Sequence, residues 1–480
     1  MVSESTPLLV AADSHVDESV VDNDKTLSSS TEQASLNIIK MCIGSGTLAM
    51  PYAASQGGFL FHMIGLALVT KWNLYSVDRM ISSKNFILQH HVQMERDSTD
   101  VHMMSKSSMK VTIEEDKDEE DSIINVNNNQ HMGNHHHHQQ QHHHSSVFEK
   151  ESKSTFSNIA LMAFGPIGVH MVDSAMTILM FGIILAYEDA ILGFIQETPF
   201  KTDEPRLNAT FMLFLIIPVL MLPDYESIAK VSALGTGLVC AVFGIIASIG
   251  ILQNGFAGFY TISWDSLWPS SLSSLSRWFG ITVFGYGVVP FTFSIQESMI
   301  HPSEFMNSCN KSLWIVFLAY CIMGNGLSMI FMQTIDSDVL SALPYGAIPT
   351  ALRLLMAIVI LTTLPLIIIP AGALVHDKVF GKASNRSCEF AIRFLIAGAC
   401  AILSVELPSF VFVLSFIGCL CVSFISFVYP PLAHIICMCR FSTKPISWQS
   451  MILDVAMVTW GIFVTIFTSR QTYLSLIQQK

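Results

Sequence analysis

A chain of 480 residues that is 51% hydrophobic and only 13% charged falls outside the soluble globular class, in which about a quarter of residues carry charge. The formal net charge of −12 is local. Residues 1–33 and 84–156 hold 19 of the 37 acidic but 8 of the 25 basic residues, so the rest is nearly neutral and no nucleic-acid partner is indicated.

Ten cysteines without a CxxC pair indicate neither a disulfide framework nor a metal site. Walker-loop, HExxH and GxSxG patterns are missing too, so no enzyme and no cofactor is expected. The reading is an all-α integral membrane protein.

Residues 1–33 are polar and lack the apolar core of a secretory signal, which predicts a retained, disordered cytosolic tail. Within it, Glu4 precedes the pair Leu8-Leu9 in the manner of an acidic dileucine sorting signal for an adaptor protein. From Ala34 onward, apolar runs near the ~20 residues needed to span hydrocarbon alternate with short polar connections. Eleven spans are predicted: 34–55, 59–82, 164–196, 209–222, 232–252, 277–298, 312–333, 349–372, 390–405, 408–431 and 449–469.

The expected organisation is spans one and two in 34–83, a disordered, acidic, Asn- and His-rich cytosolic loop at 84–156, and spans three to eleven in 157–470. Residues 471–480 form a lumenal or extracellular tail. A cytosolic N-terminus puts Lys230, Lys311, Arg393 and Arg440 among the cytosolic connections, a weak positive-inside bias.

The first span is interrupted at Gly44-Ser45-Gly46-Thr47, with Pro51 just beyond. Each glycine weakens a helix by about 1 kcal/mol relative to alanine, and proline withholds a backbone donor. Some 240 residues later the sixth span repeats the pattern at Phe284-Gly285-Tyr286-Gly287, with Pro290 beyond. Five spans per half is an odd number, so structural repeats would have opposite membrane orientations, and paired broken spans point to a midplane transport site. Two unrelated glycine-rich packing helices would give the same local pattern.

As a site, the half-helix beginning near Ser45–Thr47 offers N–H groups to a carboxylate, and the carbonyls of Phe284–Tyr286 suit an ammonium. Neither break holds a charged side chain, which favours a neutral amino acid. Tyr286 would cap the pocket or simply pack.

At these residues the chain resembles the amino acid/auxin permease family of the amino acid-polyamine-organocation superfamily. The resemblance runs from Leu36-Asn37-Ile38-Ile39-Lys40 through Gly44-Ser45-Gly46 to Pro51-Tyr52-Ala53, then Phe181-Gly182 to Glu188-Asp189 and Pro218. It continues through Phe284-Gly285 to Glu297-Ser298-Met299 and ends with Leu407-Pro408-Ser409-Phe410 to Tyr429-Pro430-Pro431. It implies a LeuT-like 5+5 inverted repeat with broken helices 1 and 6 plus one extra C-terminal helix, and secondary transport of amino acids.

Lys40 stands where sodium-coupled relatives resembling this span place an asparagine. Proton-coupled and lysosomal members similarly carry lysine, so the resemblance implies a proton as coupling ion, with sodium as the alternative. Lys40 either substitutes for the sodium ion or snorkels to the interface. Asp189 matches a position where the family often has an acid, for a proton relay or as a hydroxyl's partner. Thr362 and Thr363 fall near the level of a sodium-ligating hydroxyl.

The expected function is a proton-coupled amino acid transporter of a vacuolar or lysosomal membrane, the plasma membrane being the other address. An amino acid sensor signalling through its tail or loop is a rival, and a channel is another.

Overall fold

Apolar runs that must satisfy their own backbone groups fold as helices. In the computed structural model every regular element among the described residues is helical. The described residues are 30–113, 154–199, 201–221, 225–255, 260, 262–331, 335, 338–380, 386–406, 410–442 and 448–479. The sorting signal expected at Glu4, Leu8 and Leu9 lies outside them, as do the histidine runs of the 84–156 segment.

Among the described residues eight stretches are long and apolar enough to cross a membrane, namely Thr155–Gln196, Gly237–Asn254, Trp264–Glu297, Pro302–Phe331, Ala347–His376, Ser387–Glu406, Phe410–Phe441 and Trp448–Ser475. They coincide with the third and the fifth to eleventh predicted spans. The other three predicted spans miss that mark for visible reasons. The first is broken, the second carries His62, Lys71 and Asn73, and the fourth is the short helix Pro205–Pro218.

Helix α1 (Thr31–Cys42) starts at a capping box: the Ser30 hydroxyl accepts from Gln33 N–H at 3.2 Å, and Gln33 Oε1 accepts from Ser30 N–H at 2.8 Å. A five-residue 3₁₀ turn, Ser45–Ala49, separates it from α2 (Met50–Gly57). Gly58, at φ +77°, turns the chain into α3 (Phe59–Ile113), a conformation in which a Cβ would also strike the Leu267–Trp268 backbone.

Helix α3 continues past residue 84 to Ile113. Between Gly65 and Gly133 the sequence has neither glycine nor proline, so nothing local stops the helix.

Helix α4 (Thr155–Gln196) kinks at Gly165-Pro166, and α5 (Pro205–Leu220) and α6 (Tyr225–Asn254) follow. The second break lies between α7 (Leu272–Gly285) and α8 (Thr292–Glu297). Helix α9 (Phe305–Tyr320) passes through a π-helical turn, Cys321–Asn325, into α10 (Gly326–Phe331). Then come α11 (Ala347–Thr363), α12 (Pro365–Phe380), α13 (Arg386–Glu406) and α14 (Phe410–Ile417). Two further π turns, Gly418–Val422 and Phe424–Val428, lead into α15 (Tyr429–Phe441), and α16 (Trp448–Gln479) ends the chain.

The broken spans are held by different neighbours. Helix α1 lies along α9, while α2 packs on α7, which is backed in turn by α14 and α16. At the α7–α14 crossing the backbones touch: a Cβ on Gly418 would lie 1.9 Å from the Gly280 carbonyl oxygen.

Candidate functional site

The first break is a change of hydrogen-bond pattern. Ile43 N–H still reaches back to the Ile39 carbonyl at 2.7 Å, but Gly44 N–H turns to Cys42 O at 3.0 Å, and Thr47 N–H to Gly44 O at 3.1 Å. A 3₁₀ turn leaves the N–H groups of its first residues, here Ser45 and Gly46, without partners inside the turn. Thr47 is fully buried, and its hydroxyl lies beside the Tyr320 phenol without making a hydrogen bond of ordinary geometry among the described residues. Pro51 sits in the first turn of α2, where its missing donor costs least. Lys40 is half-buried in the last turn of α1, its charge at the negative end of that helix.

The second break unwinds in the same manner. Tyr286 N–H is shared between Thr282 O and Val283 O at 3.2 Å, Gly287 N–H bonds Phe284 O at 3.1 Å, and Val288 N–H bonds Tyr286 O at 2.6 Å.

The two breaks meet. A Cβ on Gly46 would stand 3.3 Å from the Phe284 ring and 3.9 Å from Gly285 Cα, and one on Gly285 would stand 2.4 Å from Met50 Cε. The Tyr320 hydroxyl, at the end of α9, lies 2.6 Å from the Cys42 carbonyl and 2.9 Å from the Gly285 carbonyl. One phenol therefore bridges the frayed C-terminal ends of α1 and α7. Tyr286, also fully buried, sets its ring edge-on to Tyr320 with centroids 5.3 Å apart, and its hydroxyl lies 2.9 Å from that of Thr70 on α3. Gly44, Ser45, Gly46, Thr47, Phe284, Gly285 and Tyr286 thus form one neighbourhood.

Each end of this neighbourhood is tied down. Val339 N–H bonds the Leu48 carbonyl at 3.2 Å, and the loop carrying Val339 is clamped by buried Arg353. Arg353 donates to the Leu340 and Leu343 carbonyls at 3.0 Å and to Glu197 at 2.7 Å. At the other end the Thr31 hydroxyl donates to Glu304 at 2.6 Å, while Glu297 accepts from Thr155 at 2.6 Å and Lys84 at 3.2 Å.

Three other expected site residues are not joined to the breaks by any described hydrogen bond. The Thr362 and Thr363 hydroxyls donate within α11, to Val359 O at 2.8 Å and Ile360 O at 2.9 Å. Asp189 is buried on α4, which packs on α13 and α14, and beside it both carboxylate oxygens of Glu188 lack a partner among the described residues. Conversely, Tyr320 and Thr70 were not expected from sequence. A lone tyrosine in an apolar run was the only signal for the first, and Thr70 had none.

Comparisons place these features among known proteins. The chain is 22% identical over 332 residues to Vacuolar amino acid transporter 3 of Schizosaccharomyces pombe, covering 66% of this chain and 49% of that protein. It is 23% identical over 278 residues to Vacuolar amino acid transporter 3 of Saccharomyces cerevisiae, covering 55% and 39%. Against Amino acid transporter AVT1B of Arabidopsis thaliana it is 23% identical over 296 residues, covering 58% and 50%. The chain therefore spans half or less of the length of these relatives. Residues 28–98 and 138–474, well over half of the chain, match the profile of the family described as transmembrane amino acid transporter protein, and the chain belongs to that family.

Proposed function

We propose that this multi-pass membrane protein is a secondary active transporter of neutral amino acids, driven by protons, working by alternating access around the meeting point of the two breaks. The observation that carries the reading is the contact of Gly46 with Phe284 and Gly285, bridged by Tyr320. Substrate carboxylate is held by the N–H groups at Ser45–Gly46 and by the Thr47 hydroxyl. The ammonium is held by the second lone pairs of the Phe284–Tyr286 carbonyls, whose first are already in use.

With no charged side chain inside either break, a zwitterion matches the site and a net charge does not. Lys40 supplies a fixed cation at the end of α1, which supports proton rather than sodium coupling. Eleven spans in a LeuT-like 5+5 inverted repeat accommodate the eight long apolar stretches together with the broken, polar and short ones. The names of the similar proteins support a vacuolar membrane, where an acidic lumen would drive export to the cytosol.

The test is a panel of labelled amino acids in proteoliposomes with proton and sodium gradients imposed separately. Neutral amino acids moving with the proton gradient alone are expected. Movement that needs sodium, or that favours charged substrates, contradicts the reading.

A further inference from the structure

His62, one turn into α3, is fully buried between both broken spans. The Trp278 indole of α7 donates its N–H to His62 Nδ1 at 2.8 Å. Indole nitrogen can only donate, so Nδ1 is the unprotonated nitrogen and the neutral ring keeps its hydrogen on Nε2. Nε2 is aimed at the π turn between α9 and α10: it lies 2.6 Å from the point where a Cβ on Gly324 would stand, with the Met50 carbonyl 3.3 Å from that point. Nε2 makes no hydrogen bond of ordinary geometry among the described residues, and the Tyr320 backbone carbonyl is a further polar group facing the ring. The ring thus bonds the half-helix that precedes the second break and lies against the span whose Tyr320 ties the breaks together.

We propose that His62 carries the coupling proton and that the Trp278 N–H gates it, an inference that rests on the proton-coupled reading above. In this conformation the only basic lone pair of the ring is occupied. When α7 moves away from α3, the Trp278 N–H···Nδ1 bond breaks, and a proton from lumenal water adds to the Nδ1 lone pair while Nε2–H stays in place. On return the proton leaves Nδ1 for cytosolic water and the indole N–H takes the lone pair again.

No charged side chain faces the ring among the described residues. The titratable groups of the elements packed against it are Tyr52 on α2, Arg277 on α7, Cys309, exposed Lys311 and Tyr320 on α9 and Cys321 in the π turn. Arg277 donates to the Tyr52 hydroxyl at 2.9 Å, and Tyr320 is engaged with the two carbonyls of the breaks. Protonation therefore depends on the position of Trp278, beside the Tyr320 carbonyl that also faces the ring, and not on a neighbouring charge.

Proteoliposomes holding the full chain test this. Wild-type uptake must first respond to an imposed pH gradient; if it does not, the proton-coupled reading falls and this inference with it. Given that response, His62→Gln is expected to lower the ratio of gradient-driven uptake to substrate counterflow at least about tenfold, since glutamine cannot carry a proton.

Trp278→Phe keeps an aromatic ring between Gly57 and Gly65 but removes the N–H donor together with part of the indole that packs on those glycines. It should shift the midpoint pH of uptake upward by roughly half a unit to one unit, the net worth of one hydrogen bond. An unchanged ratio in the first variant, or an unchanged midpoint in the second, overturns the proposal. If thermal melting shows that His62→Gln does not fold, the Trp278→Phe midpoint decides alone.

Discussion

Tyr320 shares one hydroxyl proton between two backbone carbonyls, that of Cys42, which Gly44 N–H also reaches, and that of Gly285. Replacing it by phenylalanine keeps the edge-on contact with Tyr286 and deletes both bonds. The expected cost is about 1–3 kcal/mol, the penalty for uncovering a buried acceptor, read as a lower melting temperature of the purified protein. Transport should fall more than stability does, because the two breaks lose their shared tie; uptake at wild-type rate would refute that role.

Gly44, Gly46 and Pro51 were legible in the sequence because glycine and proline act locally on the backbone. Tyr320 was not, because its partner Cys42 is 278 residues away. Thr362 and Thr363 illustrate the converse. A hydroxyl at a suggestive level in a helix can spend its proton on its own backbone.

Helix crossings are where the elements are most exacting. The Gly418 and Gly280 backbones are in contact, so Gly418→Ala drives a methyl into a carbonyl oxygen and is expected to destabilise by about 1–3 kcal/mol. Gly244 on α6 has open space around its Cβ position, and Gly244→Ala should instead be neutral or stabilising by up to about 1 kcal/mol. Parallel thermal melts check the pair; equal melting temperatures would show that the α7–α14 crossing is loose.

A polar node ties α3, α15 and α16. The Asp454 carboxylate accepts from Tyr75, lies 3.1 Å from Arg79 Nε and bonds His434 Nδ1 at 2.7 Å. Asp454→Asn removes the buried counter-ion of Arg79, leaving only half-exposed Asp78 at 3.9 Å, and should cost about 3–5 kcal/mol, again by melting. Periodicity marked these spans as helices, but it could not pair Arg79 with Asp454, since both lie in runs that read as plain membrane sequence. The length of α3 was not legible for a related reason. Polar composition suggested a loop at residue 84, whereas a helix ends only where something breaks it.

At the scale of the whole molecule, eight of the apolar runs were recognisable by length and composition alone. The remaining three diverge from the simple pattern because of what they carry: a break in the first, His62, Lys71 and Asn73 in the second, and only a short apolar core in the fourth. Segments that bind or move have reason to depart from an uninterrupted apolar helix, since irregular backbone and polar side chains are tolerated in a bilayer only where protein or a hydrated cavity receives them. The first break and its mate in the sixth span fit that rule, and Gly46 lies where they touch.

The central claim is that these two breaks make one amino acid site. It is tested most directly by uptake of a labelled neutral amino acid into proteoliposomes under a proton gradient without sodium, comparing the full chain with Gly46→Val. A valine there crowds the Phe284 ring, which already stands 3.3 Å from the Cβ position. The account predicts saturable uptake by the wild-type protein and its loss in a variant that still folds. Uptake no greater than in protein-free liposomes, or uptake undiminished in Gly46→Val, would contradict it.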